Sequence, residues 1–153
     1  MTDYLIFRLY GPMASWGEIA VGEVRPSATH PSKSAVLGLV AAALRLDRDQ
    51  EEMHQRLADA YGFAVRVDCM GVPLVDYHTA QVPPSGSGRN RRTCATRREE
   101  LTTLPRHKLS TILSRRDYRM DALAVVALWT RIVAPPYALA AIRDALERPG
   151  YVL

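Results

Sequence analysis

Only two cysteines occur in the 153 residues, Cys69 and Cys94, and neither has a second cysteine or a histidine pair at metal-ligand spacing. That excludes a disulfide framework and a zinc site as organising features, leaving a core thiol for Cys69 and a surface thiol for Cys94 as the expected roles. Nowhere does the sequence approach eighteen consecutive apolar residues, which excludes a membrane-spanning helix. The opening MTDYLIFRLYGP lacks the basic region and small-residue cleavage pattern of a secretion signal, so a cytoplasmic location is expected. The glycines of a nucleotide-binding GxxxxGKS or GxxxxGKT loop are also missing, and no cofactor is expected.

What the chain does have is apolar residues enough, 48%, for one core. At this length residues 1–153 are expected to form a single unit. Charge is unevenly placed. The net charge is only +4, yet residues 86–119 hold ten basic side chains against three acidic ones, leaving the remainder net acidic. Clustering of this kind suits a polyanion, because each neutralised phosphate releases condensed counterions. Nucleic acid is favoured over a membrane surface, since the segment has no apolar face with basic flanks.

Periodicity supplies the elements. In Thr2 to Leu9, Leu5, Phe7 and Leu9 alternate with Ile6 and Arg8, the period of a strand. The turn GPMASWGE follows, and residues 19–31 look irregular or loosely extended. With Ser32 or Ser34 as cap, Val36, Leu37, Leu39, Val40, Ala43 and Leu44 form the apolar stripe of a helix ending near Leu46. A second helix is predicted from Asp49, with Met53, Leu57 and Ala60 on one face, closing before Gly62. FAVRV at 63–67 and VPLVDYHT at 72–79 read as strands. QVPPSGSGRNRRTCATRREE then loses all period. Leu123 to Val133 is an apolar run that reads as a buried strand ended by Pro135, and Pro136 suits the first turn of a last helix carrying Leu139, Ile142 and Leu146.

Without the irregular excursion and the extra helix, the order is the β-α-β-β-α-β of an α+β, ferredoxin-like domain, with residues 80–119 as an inserted basic arm rooted in a helix or hairpin. In its RNA-binding form this fold presents a sheet face to single-stranded RNA, although topology alone does not fix function. Four short features carry chemistry. Pro31, Ser32, Lys33 and Ser34 open an apolar helix with more donors than one cap needs, and a phosphate is the ligand that a helix N-terminus favours. Trp16, between two glycines, is a core plug or a stacking platform for a base. Tyr77 beside His78 offers an acid and a base for cleavage through a 2′-hydroxyl, with His107 and Lys108 a second adjacent pair; an RNA contact or a hydrogen-bonded structural histidine is the competing role.

In order along the chain, YLIFRLYGPMASWG, RPSATHPSKSAVLGLVAAAL, DYHT and STILSRRDYRMDALAVVALW resemble the CasD-type subunits of type I-E CRISPR Cascade complexes, members of the RAMP superfamily. The resemblance implies a non-catalytic subunit that caps the repeat-derived 5′ handle of the guide RNA (crRNA) in antiviral defence. It further implies a thumb folded over the guide against a CasC-type backbone subunit and a body that helps seat the CasA-type large subunit. Target DNA would be met only through the complex, and no membrane is involved. Lys33 and Ser34 match the family's Pro-Thr-Arg/Lys-Ser stretch and are implied as handle-phosphate contacts; Trp16 is implied to lie beside the handle, and Tyr77 and His78 to lead into the thumb. For Arg25, Arg89, Arg91, Arg92, Arg97, Arg98 and Lys108, charge alone marks RNA contact. Family members continue past the last helix into a further strand, so the resemblance implies a sheet edge that a partner covers. An alternative is a metal-independent endoribonuclease cutting precursor guide RNA with Tyr77, His78, His107 or Lys108; a third possibility is a subunit that docks only an acidic protein neighbour.

Overall fold

The structure is a computed structural model that describes residues 2–84 and 94–151. In chain order it forms β1 (Leu5–Tyr10), β2 (Met13–Ala14), β3 (Val24–Arg25), α1 (Lys33–Ala43), α2 (Glu51–Ala60), β4 (Tyr61–Cys69), β5 (Val72–Val82), α3 (Arg97–Thr102), a 3-10 turn (Arg106–Lys108), β6 (Ser110–Met120), β7 (Leu123–Thr130) and α4 (Leu139–Glu147). The fold class is mixed α+β. An antiparallel three-stranded sheet runs β1-β7-β4, and a second sheet gathers β2, β3 and β5 on β6, with β3 parallel to it.

Alternation decides which residues are buried. β7 turns Ala124, Val126 and Leu128 to the helices, and register places Leu9, Phe7 and Leu5 of β1 directly beside them. Val36, Val40 and Ala41 of α1, Leu57 and Ala60 of α2, and Ile142 of α4 close the core from one side. Truncating a residue such as Leu128, which is fully buried, removes about 2–5 kcal/mol. α1 begins where Ser32 Oγ accepts the N–H of Ala35, and α2 carries Glu51 and Glu52 in its first turn, where the helix dipole favours acids. The far end of α1 is closed by Arg45 in the left-handed region, and the Gly150 N–H donates to the Ala43 carbonyl at 3.0 Å. An alanine at 150 would displace the Arg45 side chain, because a Cβ there would lie 1.9 Å from it.

Four expectations change. Pro136 lies outside the last helix, which starts at Leu139. The reason is Tyr61: its buried hydroxyl donates to the Tyr137 carbonyl and accepts the Tyr137 N–H at 3.0 Å, holding that segment outside the helix. β7 stops at Thr130, and Ile132 and Val133 are exposed. Cys69, at the frayed end of β4, is exposed, and Cys94 is half-buried. Ser110–Met120, which lacks a one-sided apolar period, is a full strand.

Burial pushes the Tyr61 phenol above its ordinary value, with the bond to Tyr137 acting in the opposite sense. The unfolded chain therefore ionises this group first, and its contribution to stability, complete below pH about 10, is lost as pH rises through the raised folded value. Tyr61→Phe should lose about 1–3 kcal/mol at neutral pH, because it strands both backbone groups of Tyr137, and should flatten the alkaline limb of urea-unfolding stability against pH.

Candidate nucleic-acid interface

The basic excursion is built on a ribbon. β5 and β6 pair without a break from Val72↔Met120 to Val82↔Ser110, a length of about 35 Å. Alternation sorts its side chains into two faces. One bears Asp76 opposite Arg116 and His78 opposite Ser114; the other bears Val75 opposite Asp117 and Tyr77 opposite Arg115. Tyr77, 65% exposed, and His78 thus stand on opposite faces of the ribbon and do not form one acid–base pair. The His78 ring faces Asp76 across 3.8 Å, both exposed.

At the ribbon's root, β3 adds a third strand. It aligns Arg25 with Arg116 and Val24 with Arg115, so one rung carries Arg25, Arg116 and Asp76 side by side. Arg115 is partly compensated by Asp117 at 3.1 Å, whereas among the described residues Arg116 meets only Ser114 Oγ at 3.4 Å. Arg25 folds one N–H onto the Gly22 carbonyl at 2.6 Å, which anchors the guanidinium without neutralising it. Arg115 and Arg116 stood in the sequence only as part of a charge sum. The signal that singles them out is the pairing of β6 with β3, a two-residue strand with no period to detect.

Trp16 lies beside this root and is half-buried. Its N–H donates to Ser27 Oγ at 2.9 Å and its carbonyl accepts the Ala28 N–H at 2.8 Å, fastening the Trp turn to the strap that leads into α1; Ser15 Oγ reaches the Asp117 carbonyl at 3.3 Å. The stretch at 31–34 divides its labour. Ser32 caps α1 and bonds Ser34 Oγ at 2.9 Å, while the Lys33 ammonium donates to the Ala58 carbonyl in the last turn of α2 at 2.6 Å. Lys33 therefore also ties two helices together and neutralises an end where carbonyls are unpaired.

Among the arm residues, Arg97 bonds the Gln81 carbonyl and pairs with Glu100, so it clamps α3 to β5. Arg98 and Lys108 are exposed. Arg89, Arg91 and Arg92 lie outside the described residues. The structure brings together Arg25, Tyr77, His78, Arg115 and Arg116 through strand pairing, and it places Lys33 and Ser34 at the other end of the strap.

A mixed α+β architecture of antiparallel and mixed sheets is consistent with a RAMP-like fold. The family model for the CRISPR-associated protein Cas5 matches residues 4–153, and the chain belongs to that family. It is 34% identical over 154 residues to the CRISPR system Cascade subunit CasD of Escherichia coli (strain K12), an alignment covering 99% of this chain and 63% of that protein. A chain of a solved CRISPR RNA-guided surveillance complex superposes with a TM-score of 0.65 at 34% identity, over 97% of this chain and 55% of its own length. A Cas protein crystal structure gives 0.59 at 28% identity, over 99% and 55%. The chain thus spans a little over half the length of these relatives.

The aim of the arm depends on Gly71, where β4 passes into β5. Its φ is +69°, and a Cβ there would lie 2.4 Å from the Met120 carbonyl oxygen. Gly71→Ala should destabilise the protein by at least about 1 kcal/mol in urea unfolding and raise proteolytic cleavage within the ribbon.

Proposed function

We propose that the chain is a non-catalytic guide-RNA-binding subunit of a CRISPR Cascade complex that caps the 5′ repeat-derived handle. The observation that carries this is the cationic rung Arg25–Arg116 at the root of a basic ribbon, in a chain of the Cas5 family. Phosphates are the groups that such a rung attracts, and the exposed Tyr77, one rung along and on the ribbon's other face, supplies a surface on which a base can stack. Kinship to a protein named as a Cascade subunit, and to a chain of an RNA-guided surveillance complex, supports the same role.

In this role residues 1–153 act as one unit with residues 80–119 as the thumb, which clamps the guide against a CasC-type backbone subunit; the body helps seat a CasA-type large subunit. We take the body as ferredoxin-like, since β1, β7 and β4 lie in the order that this fold gives its first, third and second strands. Ser34 and the first-turn N–H groups of α1 serve as further phosphate donors, with Lys33 supplying the two ammonium hydrogens that Ala58 does not use. Arg98, Lys108 and the arginines at 89, 91 and 92 add field along the arm, and Trp16 holds the strap beside the handle. No described helix is long and apolar enough to cross a membrane, and the cytoplasm is the compartment where this role operates. Separation of Tyr77 from His78 across the ribbon counts against the endoribonuclease.

Purifying the tagged chain from cells that express its neighbouring genes, and sequencing the RNA that accompanies it, should yield guide-length RNAs sharing one repeat-derived 5′ end. Random RNA, or none, overturns the proposal. In binding titrations with repeat-derived RNA, Arg25→Ala with Arg116→Ala should weaken affinity about tenfold or more and make the dependence of log K on log salt shallower by about 0.7 per arginine. Repeat RNA incubated with the chain in EDTA should stay intact and bound.

A further inference from the structure

The helices cover one face of the β1-β7-β4 sheet, and among the described residues the other face is open. Register fixes what stands there: Ile6, Ala127 and Ala64 form one rung, Arg8, Val125 and Arg66 the next, and Tyr10 beside Leu123 the one after. The first two rungs line a shallow depression of about 540 Å³. Ile6 is 65% and Tyr10 70% exposed. The two alanines keep the floor low, while the guanidinium groups rise on either side of Val125 with their Cα atoms about 10 Å apart.

Charge discriminates between occupants. Arg66 donates twice to the Asp68 carboxylate, at 2.7 and 3.2 Å, and this bond, helped by the field of Arg8, holds the Asp68 carboxyl below its usual range. Arg8 has no ion-pair partner among the described residues. A protein layer packed on this face would have to desolvate the Arg66–Asp68 pair and Arg8 together, which is unfavourable unless it brings a matching acid. A single-stranded nucleic acid brings flat apolar bases for the floor and anionic groups for the walls.

We propose that the open sheet face is a second RNA-binding strip, which takes a short single-stranded stretch with one base stacked on Tyr10 and its phosphates met by Arg8 and Arg66. This deepens the RNA-binding role above and rests on it, adding a surface separate from the ribbon. Tyr10 is the platform, Ile6 and Val125 form the floor under the neighbouring base, and Asp68 keeps Arg66 laid along its strand. Stacking is indifferent to base identity, so the strip accepts RNA of any sequence and leaves sequence preference to other contacts.

The test is fluorescence anisotropy with the full chain, titrated against a fluorescein-labelled repeat-derived RNA and against oligouridine of the same length, at several salt concentrations. Arg8→Ala should weaken binding to both RNAs about fivefold and make the salt slope shallower by about 0.7. Tyr10→Ala should weaken it about fivefold or more, and Tyr10→Phe, which keeps the ring, should bind as the parent does. Both positions are exposed strand sites whose substitution leaves the core intact. If Arg8→Ala and Tyr10→Ala bind RNA like the parent while Arg25→Ala with Arg116→Ala does not, the strip is wrong and the ribbon's role stands. If Ile6→Glu loses copurifying protein subunits with RNA affinity unchanged, the face belongs to a protein and the strip is equally overturned. A parent chain that binds neither RNA overturns the strip and the guide-RNA role together.

Discussion

Every named strand of this protein pairs with one nearly continuous segment, Ser110 to Thr130. Its first half, β6, holds β2, β3 and β5; its second half, β7, holds β1 and β4. The join is a single bend, with Asp121 in the left-handed region and Ala122 buried behind it. Asp tolerates that conformation better than a branched residue would. Body and arm therefore share one spine, and the orientation of the ribbon is inherited from β7 and from the helices that fix β7. A load on the arm is borne by the Val126 and Leu128 core.

The same spine arranges charge. β6 is the central strand of its sheet, so its arginines are flanked on both sides, and each flank sets a different balance. Asp76 and Arg25 stand beside Arg116, while Arg115 has Asp117 close by on its own strand. What remains is an exposed surface with partial compensation, where the field of a polyanion is felt and water still screens the approach. Ion pairs of this exposed kind contribute little to stability, which leaves the charges free for a ligand.

Those parts of the fold that bury a face were legible in the sequence. Leu5, Phe7 and Leu9, the stripe on α1, and the apolar run of β7 each announced an element because tertiary burial and local period agree there. β6 did not, because a ribbon with both faces in water has no side to keep apolar, and Ser110–Met120 mixes Ile112 and Leu113 with Arg115, Arg116 and Asp117. Lys33 shows a different limit. Its position before a helix suggested a phosphate, and only the fold brings the Ala58 carbonyl within 2.6 Å of its ammonium. The open-face strip was equally hidden: Arg8 and Arg66 lie far apart in sequence and meet on a single rung through Val125.

The spine at 110–130 also governs how the chain is made. β1 emerges from the ribosome well before its partner, which lies at 123–128. At about 5–20 residues per second, roughly six to twenty-five seconds of synthesis pass before the two can pair. Until then β1 and β4 carry their inward apolar residues with no sheet to receive them, and only α1 and α2 can begin to organise locally. Such distant pairing is slow in principle and leaves unpaired strands open to association with other chains. Efficient production thus depends on what shelters residues 5–10 and 61–69 during elongation, a requirement of biogenesis that the finished, paired structure no longer displays.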